Sequence, residues 1–137
     1  MFDKDFVPYN ESLELKEIGF NEVCMAGYDG DDNSLYIAYI SNDGVHYNPQ
    51  YYTKAPLFSQ AFRWIREMYD IHYSIERHCS QHDHKWGYNW SLYNYTGIFD
   101  EYLTSAPDAP VGEWVYNTYE EAELACIREI IKIVKKK

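Results

Sequence analysis

The sequence predicts an α+β fold: a mostly antiparallel sheet of about four strands with helices packed on one face, in the order α-ββ-α-ββ-α. Two observations carry that reading. Three segments repeat apolar residues at helical spacing, and the segments between them alternate residue by residue and are broken by Asp, Asn and Gly. At 137 residues, 46% hydrophobic and 25% charged, the chain has the length for a single compact domain, 1–137, with one core.

The first helix follows Pro8 and Asn10 and uses Leu13, Leu15 and Ile18 as its apolar positions. Gly19 reads as its left-handed stop, and the helix docks through Leu15, Ile18 and Phe20. Glu22 to Tyr28 and Ser34 to Ser41 read as a β-hairpin, split by Asp29-Gly30-Asp31-Asp32-Asn33. In the second strand Leu35, Ile37 and Tyr39 face one way and Tyr36, Ala38 and Ile40 the other, so both faces carry apolar weight. Residues 42–54 either loop or carry one more short strand.

Pro56 suits the first turn of a second helix, whose stripe is Leu57, Phe58, Ala61, Phe62, Ile65, Met68 and Tyr69, with Trp64 near its edge. Ile71 to Cys79 and Lys85 to Tyr95 form the second strand pair, with Ser80 to His84 as the turn. Trp86, Tyr88, Trp90 and Leu92 alternate against Asn89, Ser91 and Tyr93. Residues 96–117 are rich in turn formers and have room for one more strand at Glu113 to Tyr116. The last helix opens on Thr118 and Glu121, a capping box, and its buried stripe is Ala122, Cys126, Ile127, Ile130, Ile131 and Val134.

Twelve basic against 22 acidic residues leave a net charge of −10, which disfavours general nucleic-acid binding, because phosphate neutralisation needs clustered Lys and Arg. The one dense basic run, Lys135-Lys136-Lys137, ends the last helix, where cations oppose the negative end of the macrodipole. The N-terminus has neither the basic nor the apolar region of a secretory signal, and no stretch is long and apolar enough to span a bilayer. The expected setting is cytoplasmic, with Cys24, Cys79 and Cys126 as free thiols.

Four of the five histidines cluster at His72, His78, His82 and His84. If Ile71 to Lys85 were one continuous strand, His78, His82 and His84 would share a face and offer three imidazoles to a zinc. A turn at Ser80 to Asp83 breaks that parity, and the competing reading is an exposed polar turn. Cys79 beside His78 is not a nucleophile and base, because neighbours on a strand point to opposite faces. The acidic Asp29–Asn33 segment lacks the bidentate Glu of a calcium loop and reads as a solvated turn, and Cys126 on an apolar stripe reads as a small core hydrophobe. No cofactor is implied.

Aromatic residues make up 18% of the chain. Tyr47, Tyr51, Tyr52, Tyr88, Trp90, Tyr93, Tyr95 and Trp114 read either as core filler or as part of a binding surface; of these, Tyr47, Tyr51, Tyr52, Tyr88, Trp90, Tyr93 and Trp114 are the candidate surface residues.

Three blocks carry a resemblance: Phe6-Val7-Pro8-Tyr9 with Leu13-Glu14-Leu15-Lys16-Glu17-Ile18-Gly19-Phe20; Ala55-Pro56-Leu57-Phe58-Ser59-Gln60-Ala61-Phe62-Arg63-Trp64; and Thr118-Tyr119-Glu120-Glu121-Ala122-Glu123-Leu124-Ala125-Cys126. Together, roughly a third of the chain, they resemble a family of short uncharacterised proteins of Bacteroidota phages, prophages and genomes. The resemblance implies a phage or prophage origin and brings no activity or catalytic residue with it. The expected function is that of a non-catalytic accessory protein, engaged in host takeover or anti-defence, whose acidic, aromatic-rich surface binds a protein partner or a second copy of itself. The alternatives are a metal-binding protein or metal-dependent enzyme built on the histidine turn, and a small-ligand binder with an aromatic pocket.

Overall fold

A computed structural model describes residues 2–37, 39–46, 52–79, 84–95, 100–105 and 116–136. A 3-10 helix, Phe2–Asp5, precedes α1 (Tyr9–Glu17), β1 (Ala26–Asp29), β2 (Leu35–Ile37), β3 (Tyr39–Ser41), β4 (Gly44–His46) and β5 (Tyr52–Ala55). Then come α2 (Phe58–Tyr69), β6 (Ile71–Cys79), β7 (Trp86–Tyr95), β8 (Asp100–Ser105) and α3 (Tyr119–Lys135). The fold is α+β, and every described strand pair is antiparallel. Eight described strands, in the sheets β2-β1-β5, β3-β4 and β6-β7-β8, replace the expected four in one sheet. The chain divides into two compact units, Met1–Ala61 and Phe62–Lys137, with the boundary inside α2.

In the first unit α1 ends as its sequence dictates. Gly19 has φ 110°. Phe20 N donates to Leu15 O at 2.9 Å and Gly19 N to Lys16 O at 3.1 Å, the paired bonds of a Schellman cap, which turn the chain so that Phe20 and Leu15 are both buried. The expected strand Glu22 to Tyr28 begins only at Ala26. Ala26 faces Ile37 on β2 and Ala55 on β5, and the residue after Ala55 is Pro56, which has no N–H to extend the ladder. Upstream, Val23 and Met25 are exposed while Cys24 is buried, and Gln60 Nε2 donates to Val23 O at 2.9 Å in place of a strand partner.

The expected strand Ser34 to Ser41 is divided: β2 pairs with β1, whereas β3 pairs with β4 through Asn42 and Asp43. Residues 42–54 thus supply β4 and β5. The Asp29–Asn33 segment is the hairpin turn its composition indicated. Asp29 Oδ1 accepts from Asp31 N at 2.7 Å, Asp32 Oδ1 accepts from Ser34 N and Ser34 Oγ at 3.0 and 2.7 Å, and Asn33 takes φ 59°. Those bonds from Ser34 hold the Asp32 carboxyl below its ordinary value. The core of this unit is Phe6, Ala26, Tyr28 and Ala55, with Tyr9, Leu35 and Leu57 against it. Val7 O ties it together by accepting from Tyr28 Oη at 2.7 Å and Ser12 Oγ at 3.0 Å.

In the second unit β6 runs Ile71–Cys79 as expected, and β7 starts at Trp86. Strand β8 falls in a stretch read as turns, while of the expected strand Glu113 to Tyr116 only Tyr116 is described, as an isolated bridge to Tyr88. The predicted α3 stripe is the observed one: Ala122, Cys126, Ile127, Ile130, Ile131 and Val134 are all buried. Thr118 Oγ1 accepts from Glu121 N at 3.1 Å, and Glu121 Oε2 accepts from Asn117 N at 3.2 Å, one residue upstream of the expected return bond. On α2 the stripe is rotated: Trp64 is buried and Met68, expected inside, is 62% exposed, with Tyr69 set edge-on to Trp64 at 5.6 Å.

Candidate binding surface

The β6-β7 register fixes what each face of the sheet carries. Ile71, Tyr73, Ile75, Arg77 and Cys79 lie opposite Asn94, Leu92, Trp90, Tyr88 and Trp86 on one face; His72, Ser74, Glu76 and His78 lie opposite Tyr93, Ser91, Asn89 and Gly87 on the other. Both helices of this unit pack on the first face. Phe62 of α2 stacks on Tyr73 at 3.8 Å, and Tyr119 of α3 donates its hydroxyl to Tyr73. Burial, and after it Tyr73 and Glu123, push the Tyr119 hydroxyl up to about 12; Tyr73 is raised as well, first by burial and then by Glu123.

The cover stops at the hairpin end. Leu92 and Trp90 lie within the core, Trp90 only 4% exposed, with its indole N–H donating to Tyr116 Oη at 3.4 Å. Tyr116 exchanges backbone bonds of 2.8 and 3.1 Å with Tyr88. Half-buried Tyr88 meets Tyr119 edge-on at 5.8 Å. Beyond them Trp86 is 54% exposed with the Arg77 guanidinium 4.5 Å from its ring centroid, and Tyr119 is 39% exposed. Two tyrosines, one tryptophan and one arginine therefore gather at the uncovered end of this face, next to Glu120 and Glu121 in the first turn of α3.

No protein-family model, curated protein or solved structure matches the chain. Among the described residues no helix is long and apolar enough to cross a membrane.

The aromatics singled out from the sequence do not form one surface. Tyr47, Tyr51 and Trp114 lie outside the described residues. Tyr52 is in β5 of the first unit, opposite Asp29. Tyr88 and Trp90 share the helix-covered face, where Trp90 is core, while Tyr93 is on the opposite face. Trp90 is corrected from surface to core because α3 lies over the middle of the strand. Sequence reasoning missed Trp86, Arg77 and Tyr119. Strand parity already places Trp86 with Tyr88, and its position next to the turn, beyond the reach of the helix, is the signal that would have found it.

Of the stretch Ile71 to Lys85 that would align the three imidazoles as one strand, β6 covers Ile71–Cys79, and residues 80–83 lie outside the described residues. His78 is exposed on the open face, 3.2 Å from Glu76 Oε2, whereas exposed His84 has φ 57° in the connection and His82 lies outside the described residues. Among the described residues no group of three or more His, Cys, Asp or Glu gathers as a metal set. Cys79 sits on the face opposite His78, and none of the three cysteines is in a disulfide. Burial pushes Cys24 up to about 11 and raises Cys126 further.

Proposed function

We propose that this chain is a non-catalytic accessory protein that binds a protein partner through the surface formed by Trp86, Arg77, Tyr88 and Tyr119. The observation that carries the reading is the exposed Trp86 with Arg77 stacked on its ring. Trp, Tyr and Arg are the residue types most enriched among side chains that dominate binding energy, and here all three lie at one end of a strand pair. The net charge of −10, with Glu120 and Glu121 beside the cluster, favours a partner whose surface is basic. The resemblance of the Phe6–Phe20, Ala55–Trp64 and Thr118–Cys126 blocks to short phage proteins supports a phage or prophage origin and a role in the host cytoplasm, in host takeover or anti-defence.

The test is a pull-down from host lysate with the wild type and Trp86→Ala, followed by titration of the retained protein against both. The expected result is one partner whose affinity falls at least about tenfold in Trp86→Ala and in Arg77→Ala. Light scattering on the free chain identifies the other form of the reading, a dimer that Trp86→Ala converts to a monomer. Unchanged affinity in both variants sinks the proposal.

A further inference from the structure

A concave site lies in the first unit, unlike the aromatic cluster in its chemistry. Ser12 and Lys16 of α1, Phe20 and Asn21 just after it, and Thr53 and Lys54 of β5 line a cavity of about 140 Å³. The Schellman cap builds one wall. It buries Phe20, and because Gly19 N and Phe20 N take up the carbonyls of Lys16 and Leu15, the end of α1 does not meet the cavity with those oxygens bare. Buried Ser12 and Thr53 form the inner side.

The chain has ten more acidic than basic groups, yet neither lysine here is ion-paired with a carboxylate among the described residues. Lys54 Nζ donates to Asn21 O at 3.3 Å and to Asn21 Oδ1 at 3.2 Å, which leaves it one N–H. The Lys16 ammonium makes no bond among the described residues, so all three of its donors are open. Lys16 and Lys54 both line this one hollow, and like charges brought close repel each other until an anion joins them.

We propose that this cavity binds a small oxyanion, a phosphate or the carboxylate of a small molecule, held between the ammonium groups of Lys16 and Lys54. Its volume, about 140 Å³, is enough for a group the size of a small oxyanion. Asn21, held by Lys54, fixes the position of that lysine, and Phe20 offers an apolar surface to whatever carries the charge.

The test is titration of the isotope-labelled full chain with inorganic phosphate and, separately, with acetate at constant ionic strength, followed by backbone amide shifts. The expected result is saturable movement of Ser12, Phe20, Asn21, Thr53 and Lys54 for at least one probe below about 50 mM. Saturation by phosphate alone assigns a phosphate ligand, by acetate alone a carboxylate, and by both a general oxyanion site. Lys16→Ala, at an exposed position that leaves the fold intact, weakens binding at least about fivefold, and Lys16→Arg retains it to within about twofold. Shifts that stay linear for both probes, that survive Lys16→Ala unchanged, or that centre on Lys132, Lys135 and Lys136 overturn the proposal.

Discussion

Trp86 and Trp90 are four residues apart on one strand and one face, and their environments give them opposite roles. Trp90 lies under α3, so Trp90→Ala opens a large cavity and strands the Tyr116 hydroxyl; the expected loss is about 3–5 kcal/mol. Trp86 is 54% exposed with Arg77 over its ring, and Trp86→Ala is expected to change stability by less than about 0.5 kcal/mol. Urea unfolding of the two variants checks the contrast, and a Trp86→Ala cost as large as that of Trp90→Ala would make the cluster structural. Tyr119 adds a pH dependence whose sign follows from its surroundings. Its hydroxyl ionises near 10.0 when free and at about 12 in the fold, so the unfolded chain loses the proton first. Its contribution is fully present below 10.0 and is lost as pH rises through about 12. Thermal melts at about pH 9 and about pH 11 are expected to show a smaller alkaline loss in Tyr119→Phe than in the wild type; equal losses refute the assignment. Much of this was legible at the level of single residues, where Cys126 reads as core from its stripe alone. What parity could not show is where the helical cover ends, and that boundary separates Trp90 from Trp86.

Elements whose signal is local were the ones the sequence announced. Helix α3 has its cap, its acidic first turn and a six-residue stripe within one continuous segment, and β6 and β7 alternate for nine and ten residues. The strands of the first unit are three or four residues long, too short for a period to repeat, and their partners are chosen by distant contacts. Ser34 to Ser41 reads as one strand with apolar weight on both faces, yet β2 and β3 pair into different sheets. Two substitutions test the local devices. Thr118→Ala removes the acceptor for Glu121 N and is expected to cost about 1 kcal/mol. Gly19→Ala forces a side chain into φ 110° and is expected to cost about 1–2 kcal/mol. Denaturant midpoints measure both, and a neutral Gly19→Ala would mean that α1 ends without its cap.

At the scale of the whole molecule the excess of negative charge acts on folding and on binding in opposite ways. A chain of net charge −10 repels itself, and the described cations at the end of α3, Lys132, Lys135 and Lys136, are answered by the helix dipole. Added salt shortens the reach of that repulsion from about 30 Å at 0.01 M to about 8 Å at 0.15 M. The free chain is therefore expected to melt at a higher temperature in 0.15 M than in 0.01 M sodium chloride. A complex with a basic partner at the Trp86 surface should respond the other way, since screening removes the attraction that guides encounter and slows association while the rate of dissociation, set by the buried Trp and Arg contacts, changes little. Melting curves and stopped-flow association at the two salt concentrations separate the effects. A melting temperature that falls with salt would mean that attractive ion pairs outweigh the net charge, and an association rate indifferent to salt would exclude a basic partner while leaving the aromatic contact in place.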